Sequence, residues 1–151
     1  MKNCAVILAG GEGKRMKSDK PKTLSEVLGR PMLCWVMSAL RKAGIDDICV
    51  VKGFKKECVE EYLSTLDFSV ESVFQAERLG TGHAVMMAKD FLKKHSGNVV
   101  ILNGDAPFMD SKTIEDSLKA HIENGCAATV ISAKVDAVSY THLTLPTNSL
   151  V

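Results

Sequence analysis

The sequence predicts an α/β fold in which a mainly parallel sheet lies between two layers of helices. Short apolar runs without polar alternation, typical of strands buried on both faces, alternate along the chain with segments of helical periodicity. The connections between them are short, which favours crossovers that place helices on both faces of one sheet. Ligands of such sheets bind at the carboxyl ends of the strands, so a functional site is expected there.

The first half of the chain predicts two strands and two helices. These elements are a strand at 5–8, a helix at 32–43, a strand at 48–51 and a helix at 55–64. Pro31 suits the first turn of the first helix, and Gly44 ends its apolar periodicity. The second helix is amphipathic, with its charged residues on the outer face.

The second half continues the same alternation. The predicted elements are a strand at 70–74, a helix at 82–92, a strand at 99–102, a helix from 110 or 111 to 124 and a strand at 127–135. Thr81 is expected to cap the first of these helices, and Gly125 to end the second. Each predicted helix therefore connects two strands of the sheet.

The composition is that of a soluble globular protein. Of the 151 residues, 46% are hydrophobic and 25% are charged. A chain of this length forms one domain by default and buries about 70% of its unfolded surface. No apolar run approaches membrane-spanning length and the N-terminus has no secretory hydrophobic region, so we expect a cytoplasmic protein without a membrane partner.

The cysteines and the net charge narrow the class further. The five cysteines are odd in number and widely spaced, which favours reduced core residues over a disulfide framework or a zinc site. The net charge of +1 exerts no long-range attraction on nucleic acid, so no nucleic-acid partner is expected. A small anionic ligand fits the local basic cluster better.

A glycine-rich basic loop follows the first strand. Gly10, Gly11 and Gly13 allow backbone N–H groups to converge on an anion. Five cations then fall within nine residues, at Lys14, Arg15, Lys17, Lys20 and Lys22. This pattern indicates a polyphosphate ligand, although a solvated basic loop would have the same composition.

Two known phosphate-binding glycine signatures do not fit this loop. The P-loop requires a Gly where Leu8 stands and a Ser or Thr where Arg15 stands. The dinucleotide fingerprint that begins at Gly11 requires a small residue in place of Met16. Neither an ordinary P-loop nor a dinucleotide-binding turn is therefore predicted.

Asp105 follows the most apolar strand directly. A carboxylate at the end of a strand, beside a phosphate-binding loop, is well placed to hold Mg²⁺ against phosphate oxygens. The sequence Asn-Gly-Asp-Ala-Pro at 103–107 is equally good turn chemistry. Metal ligand and turn residue both remain open on these grounds.

The segment 75–84 combines a strand end, a glycine-bracketed turn and the start of a helix. Backbone N–H groups and the Gln75 amide are expected to be free there to pair with the edge of a base. An ordinary loop remains the alternative. His83 has no carboxylate at a convincing spacing, so we interpret it as a packing or capping residue rather than a general base.

The stretch Leu-Ala-Gly-Gly-x-Gly-x-Arg-Met at 8–16, followed by Pro21-Lys22, resembles the signature of the sugar-phosphate nucleotidyltransferases. The resemblance implies a Rossmann-like three-layer nucleotidyltransferase fold, truncated in this chain. It also implies a loop that wraps a nucleotide triphosphate, with Arg15 and Lys22 as catalytic groups on the phosphates. The loop residues that it implies in nucleotide binding are Leu8, Ala9, Gly10, Gly11, Gly13 and Lys22. Lys14 departs from the pattern, since many members carry Thr there.

The segment Gln-Ala-Glu-Arg-Leu-Gly-Thr-Gly-His-Ala at 75–84 resembles the uridine-reading segment of the bacterial N-acetylglucosamine-1-phosphate uridylyltransferases. By this resemblance Gln75 and Gly80 contact uracil, and Thr81 lies beside the nucleotide. The implied reaction joins UTP and N-acetylglucosamine 1-phosphate and releases pyrophosphate. The intact enzyme could also be a homo-oligomer.

The apolar strand followed by Gly-Asp-x-Pro resembles the metal-binding motif of the same transferases. It implies that Asp105 is a catalytic residue that holds Mg²⁺, the expected cofactor. Asn103 and Gly104 are expected among the residues that bind nucleotide or substrate.

The resemblance covers the chain to about residue 136. We therefore predict the N-terminal part of a nucleotidyltransferase domain at 1–137 and a non-native tail at 138–151, where no helical or strand pattern compatible with the fold continues. Because the rest of the sugar pocket and a second metal ligand are expected beyond this point, we expect the chain itself to be inactive. A guanylyl- or cytidylyltransferase, or a nucleotide-binding fragment without turnover, remains the alternative.

Overall fold

The computed structural model describes residues 2–13, 20–77 and 79–132. The strands are β1 (Cys4–Ala9), β2 (Glu26–Val27), β3 (Arg30–Pro31), β4 (Asp47–Lys52), β5 (Glu71–Phe74) and β6 (Val99–Asn103). The helices are α1 (Met32–Lys42), α2 (Lys56–Ser64), α3 (Thr81–Met87), α4 (Lys89–Leu92) and α5 (Ser111–Glu123), together with a 3₁₀ turn at Lys22–Leu24. The predicted tail at 138–151 lies outside the described residues.

Four strands form a parallel sheet in the order β5-β4-β1-β6. β1 lies in the middle, with Ala5 paired to Ile48 of β4 on one side and to Val100 of β6 on the other. All four strands run in the same direction, so their carboxyl ends meet at one edge of the sheet. The loops that follow β1, β4, β5 and β6 are thereby brought together at that edge.

The central strands β1 and β4 are buried on both faces, as their unbroken apolar runs predicted. The same prediction is wrong for β6, an edge strand in which Val99 is 40% and Ile101 is 48% exposed. On one face the strand side chains pack against α1, α2 and α5, through residues such as Ile7, Leu40 and Ile114. On the other face Val6 and Val51 pack against α3 and α4. Each fully buried side chain of this size contributes about 2 kcal/mol of transfer free energy. The predicted three-layer α/β class is confirmed, because helices cover both faces.

A short antiparallel hairpin of β2 and β3 precedes α1 and was not predicted from the sequence. Pro31 lies in β3 and occupies the N-cap position of α1 rather than its first turn. Trp35 of α1 donates a hydrogen bond from Nε1 to the carbonyl oxygen of Val27, at 2.8 Å. The hairpin is thereby fixed to the helix that it introduces.

The helix predicted at 82–92 is two helices, α3 and α4, which meet at Ala88. The prediction that Thr81 caps it is wrong. Gly80 occupies the cap position, Thr81 is the first helical residue, and the cap has no side-chain hydrogen bond. By contrast, the next helix begins as predicted, because Asp110 Oδ1 accepts a hydrogen bond from the backbone N–H of Thr113 at 2.7 Å.

The strand predicted at 127–135 does not form over its described part, 127–132. Val130 is 74% exposed and Ile131 is 42% exposed, so this apolar run is not packed as a core strand. β6 pairs with β1 alone among the described residues. An apolar run becomes a strand only when a neighbouring edge satisfies its backbone groups, which composition alone does not specify. Residues 133–135 lie outside the described part.

In the portion of the chain that the structure describes, no helix combines the length and the apolar character needed to cross a bilayer.

Candidate active site

A cleft of about 370 Å³ opens at the carboxyl edge of the sheet. This size is at the lower end of the range for small-ligand sites. The cleft is lined by Leu8, Gly10, Gly11, Gly13, Lys22, Thr23, Gln75, Gly80, Thr81, Ala84, Asn103 and Asp105. Segments that are far apart in the sequence, namely the glycine loop, the segment after β5 and the end of β6, therefore share one cavity.

Most of the site residues predicted from the sequence line this cleft, with three exceptions. Ala9 is fully buried in the core beneath the loop, and Gly104 lies behind the wall, with its N–H donating to Leu8 O at 2.9 Å. Arg15 lies outside the described residues. Thr23 and Ala84 line the cleft without having been predicted.

The glycine loop passes tightly over the residue that follows Pro21. Gly13 has a φ of +61°, and a Cβ at this position would lie 2.8 Å from Lys22 Cβ. Both the left-handed backbone and the contact exclude a larger residue. Gly13 therefore allows the loop to approach Lys22, which places a cation beside the loop amides.

The end of β4 supports the loop from below. A Cβ on Gly53 would lie 2.6 Å from the carbonyl oxygen of Gly10, and the Phe54 N–H donates to that same oxygen at 3.2 Å. Gly53 follows β4 directly. Its role in the site comes from a contact between two loops that adjacent strands bring together, and no local pattern predicts such a contact.

Lys22 and Asp105 form an ion pair across the cleft. Lys22 Nζ donates to Asp105 Oδ2 at 2.6 Å, and both side chains are more than a third exposed. Lys22 begins the 3₁₀ turn, and Asp105 follows β6. The structure thus brings together the cation and the carboxylate that the sequence assigned to phosphate and to metal.

The described residues of the cleft offer a hard cation one carboxylate ligand. Mg²⁺ is commonly held by one or two carboxylates together with phosphate oxygens and water, and Asp105 is the carboxylate on the cleft wall. In the described ranges, no three His, Cys, Asp or Glu side chains cluster closely enough to form a metal site by themselves. Asp105 therefore fits as a single protein ligand to an ion shared with phosphate.

Gln75 is the buried polar residue of the opposite wall, with 5% of its surface exposed. Its Nε2 donates to Gly80 O at 3.1 Å and lies 3.1 Å from His83 Nδ1. The expectation that the whole amide is free to meet a ligand is therefore wrong for its NH₂ group. The amide oxygen is different, since a Cβ on Gly10 would lie 3.0 Å from Oε1. The oxygen lies on the loop side of the cleft.

The backbone beneath Gln75 is held by an ion pair at the end of β4. The Gln75 N–H donates to Lys52 O at 2.8 Å. The buried Lys52 side chain donates to Glu60 Oε1 and, at 2.9 Å, to Ser72 Oγ. The Lys52 hydrogen bond holds the pKa of the Glu60 carboxyl below its usual range. This pairing compensates the charge on Lys52 and ties α2 and β5 to the wall of the cleft.

Thr23 lies on the floor of the cleft. It is 4% exposed, and its Oγ1 has no hydrogen-bond partner among the described residues. A Cβ on Gly104 would lie 3.0 Å from Thr23 Cγ2. The methyl group fits against the end of β6, and the hydroxyl is left unsatisfied.

Comparison with known protein families decides the class. The model of the MobA-like NTP transferase domain matches residues 5–147, which is most of the chain. The chain belongs to this family. The glycine loop and the end of β6, which form the two walls beside Lys22, both lie within the matched range of the MobA-like NTP transferase domain.

Curated relatives of this MobA-like domain include the bifunctional protein GlmU of several bacteria, whose N-terminal region it resembles. GlmU of Clostridium tetani is 48% identical over 136 residues, which is 90% of this chain and 30% of that protein. GlmU of Acetivibrio thermocellus is 47% identical over 129 residues, 85% of this chain and 27% of that protein. The chain thus spans about 30% of the length of these relatives.

Solved structures share the fold of the MobA-like domain. A UDP-glucose pyrophosphorylase from Acinetobacter baumanii superposes with a TM-score of 0.69 at 24% identity, over 83% of this chain and 54% of that one. Rv0371c from Mycobacterium tuberculosis gives 0.64 at 21% identity, over 80% and 60%. At these identities the likeness establishes the Rossmann-like nucleotidyltransferase fold alone.

Proposed function

We propose that this domain binds UTP and serves a sugar-1-phosphate uridylyltransferase that joins UTP to N-acetylglucosamine 1-phosphate and releases pyrophosphate. The observation that carries the proposal is the convergence of the glycine loop, Lys22, Asp105 and Gln75 on one cleft. The similarity to GlmU over 90% of the chain supports this choice within the nucleotidyltransferases.

The triphosphate would lie along the glycine loop. The loop backbone at Gly10, Gly11 and Gly13 faces the cleft, and no Cβ atoms there obstruct an approaching phosphate. Lys22 lies beside it as a flexible cation, and we assign Arg15 to the same task by its place in the sequence motif. These groups would neutralise the charge that develops on the phosphates during transfer.

The reaction needs little help from a general base. A phosphate oxygen of a sugar 1-phosphate is already anionic, so it can attack the α-phosphorus in line while pyrophosphate leaves. The protein must then position the two substrates and stabilise charge, and positioning can lower such a barrier by roughly 7 to 11 kcal/mol. His83, whose Nδ1 faces Gln75, is accordingly assigned no proton-transfer step.

Mg²⁺ would be held by Asp105. When bound, it supplies positive charge to the phosphate oxygens. Asp105 would then exchange its ion pair with Lys22 for the metal ion, which would free that ammonium group for the phosphates. After this exchange Mg²⁺ would lie beside Asp105, and Lys22 would lie beside the phosphates.

Uridine would be read at the opposite wall, by Gln75 and the backbone of Gly80, with Thr81 at the start of α3 beside the nucleotide. The guanylyl- or cytidylyltransferase alternative predicts a different base in the same place. Nothing in the geometry of the cleft favours guanosine or cytidine, whereas the similarity to GlmU favours uridine.

The test is release of pyrophosphate from UTP and N-acetylglucosamine 1-phosphate, with this chain and a longer protein that carries the same domain assayed side by side. Asp105 is the single carboxylate among the described residues that line the cleft, so the chain alone should bind UTP but turn over far more slowly. Release by the longer protein with UTP but not with GTP would support the proposal. No release with any sugar 1-phosphate would contradict it.

A further inference from the structure

The Gln75 amide is held in one orientation by two neighbours. Its nitrogen lies 3.1 Å from Gly80 O and 3.1 Å from His83 Nδ1. A carbonyl oxygen can only accept a hydrogen bond, so the atom beside Gly80 O must be the NH₂ group and not the amide oxygen. One hydrogen of Nε2 is thus given to Gly80, and the other faces His83.

The same geometry defines the state of the His83 ring. An amide nitrogen donates hydrogen bonds and does not accept them, so His83 Nδ1 must accept, and an accepting Nδ1 carries no proton. The ring proton therefore lies on Nε2. His83 is half-buried at the start of α3, where the helix fixes its backbone beside the Gln75 side chain.

The Gln75 oxygen lies on the glycine-loop side of the cleft. Oε1 lies where a Cβ on Gly10 would come within 3.0 Å, and both residues line the cavity. With the NH₂ group committed to the protein, the amide presents an acceptor and no donor. An acceptor pairs with the N3–H of uracil but is repelled by N3 of cytosine, which is itself an acceptor.

We propose that His83 is a specificity-determining positioning residue, whose Nδ1 holds the Gln75 amide with its oxygen towards the cleft and so selects uridine over cytidine nucleotides. This proposal deepens the proposed function, because it rests on the base being read beside Gln75. His83 acts through Gln75 and does not itself touch the base. Gly80 O supplies the second restraint, so loss of His83 should narrow the discrimination without abolishing it.

Two replacements separate the hydrogen bond from the bulk of the ring. His83→Leu removes the acceptor and keeps an apolar side chain of similar size, so the amide can rotate and offer Nε2 to cytosine. In His83→Asn, Oδ1 occupies the place of Nδ1 along the side chain and restores an acceptor. His121→Leu is the matched control, because His121 lies on α5 and its Nδ1 contacts Thr129 Oγ1 away from the cleft.

The measurement is the ratio of the dissociation constants of CTP and UTP, determined by calorimetry at one Mg²⁺ concentration. His83→Leu should lower this ratio by roughly two- to tenfold, the usual range for one hydrogen bond. His83→Asn and His121→Leu should keep the wild-type ratio. In a Gln75→Leu background, His83→Leu should cause no further change, because the two residues act as one unit.

The outcomes distinguish this inference from the proposed function. A wild-type chain that binds UTP and CTP equally would contradict the uridine specificity itself and the acceptor role of Oε1 with it. A ratio of dissociation constants that is unchanged in His83→Leu, or is lowered equally in His83→Asn, would overturn the positioning role alone. Nitrogen-15 spectra of the free chain give a test that needs no variant to fold, since a protonated Nδ1 on His83 would also overturn it.

Discussion

Lys22 Nζ and Asp105 Oδ2 lie 2.6 Å apart across the cleft, so the proposed phosphate-binding cation and the proposed metal ligand are bound to each other. Both side chains are partly exposed, and ion pairs of that kind contribute at most about 1 kcal/mol to stability. The pair therefore has little value as a structural support. The position of the two residues is explained better by the proposed ligands, since the triphosphate would bind Lys22 and Mg²⁺ would bind Asp105.

The variant Asp105→Asn tests whether Asp105 exchanges Lys22 for Mg²⁺, because its effect on UTP affinity should reverse when Mg²⁺ is added. Without metal, removal of the carboxylate should tighten UTP binding by about 1 kcal/mol, because it removes a repelling charge and releases Lys22. With Mg²⁺ present, the same variant should bind UTP more weakly, because the ion loses its protein ligand. A longer enzyme with this substitution should lose Mg²⁺-dependent turnover while remaining folded.

Calorimetric titrations in EDTA and in Mg²⁺ provide the measurement. Asp116→Asn is the control, since Asp116 pairs with Lys112 at 2.9 Å on the surface of α5. Weaker binding of Asp105→Asn under both conditions would mean that Asp105 is a turn residue that shapes the loop.

Replacement of Gly53 by Ala tests the support of the glycine loop. The new Cβ would lie 2.6 Å from Gly10 O and 2.8 Å from Gly10 Cα, so the backbone of one loop must move. Overpacking of this kind costs about 1 to 3 kcal/mol. Chemical denaturation should show that loss, and triphosphate binding should weaken with it.

Gly82→Ala is the matched replacement, because the space around Gly82 is open and the residue lies inside α3. Ala has a higher helix propensity than Gly, so Gly82→Ala should not lose stability. A stable, fully binding Gly53→Ala variant would show that the contact between the two loops does not hold the site in shape.

The unsatisfied hydroxyl of Thr23 predicts a stabilising substitution. Thr23→Val keeps the shape of the side chain and removes a buried polar group without a partner among the described residues. The free energy of unfolding should rise by about 1 kcal/mol or more. Thr113→Val should instead lower the free energy of unfolding, because it removes the hydrogen bond that Thr113 Oγ1 donates to Asp110 Oδ2 at 3.0 Å. A loss of stability in Thr23→Val would mean that the hydroxyl is satisfied in solution.

The cysteines predict a pattern of reactivity and pH dependence. Burial raises the pKa of the Cys49 thiol to about 11, and burial also raises the pKa of the Cys4 thiol. Unfolded cysteines ionise near pH 8.5, so the unfolded state gains thiolate first and stability should fall as the pH rises from about 9 to 11. Iodoacetamide should label the exposed Cys126 in the native chain and reach Cys4 and Cys49 only on unfolding. Labelling of Cys49 at the rate of Cys126 would contradict this burial.

The layered fold could be predicted because its signals are local. Runs such as 5–8 and 99–102 are apolar without alternation, and β1 and β6 extend them by one or two residues. The failures were of another kind. The apolar run at 127–132 lacks a paired edge. Ala88, where α3 and α4 meet, is buried against β1 and β4, and the sequence carries no local signal for the break there.

The candidate site was predictable in its residues but not in its contacts. Sequence motifs identified Lys22, Gln75 and Asp105, and the parallel sheet explains why they meet. The pairing of Lys22 with Asp105 joins residues 83 positions apart. The neighbours of Gln75 and the support from Gly53 likewise depend on the fold, and no spacing rule predicts them. The prediction that the five cysteines are core residues is correct for Cys4 and Cys49 and wrong for Cys126, which is exposed, while Cys34 and Cys58 are only partly buried.

The most direct test of the account is a calorimetric comparison of UTP and GTP binding to this chain in Mg²⁺. The segment 75–84 resembles a uridine-reading segment, and discrimination between bases by one hydrogen bond is worth about 1 kcal/mol or more. UTP should therefore bind at least about fivefold more tightly, and Gln75→Leu should reduce that preference. Equal dissociation constants for UTP and GTP would contradict the assignment of this cleft as a uridine nucleotide site.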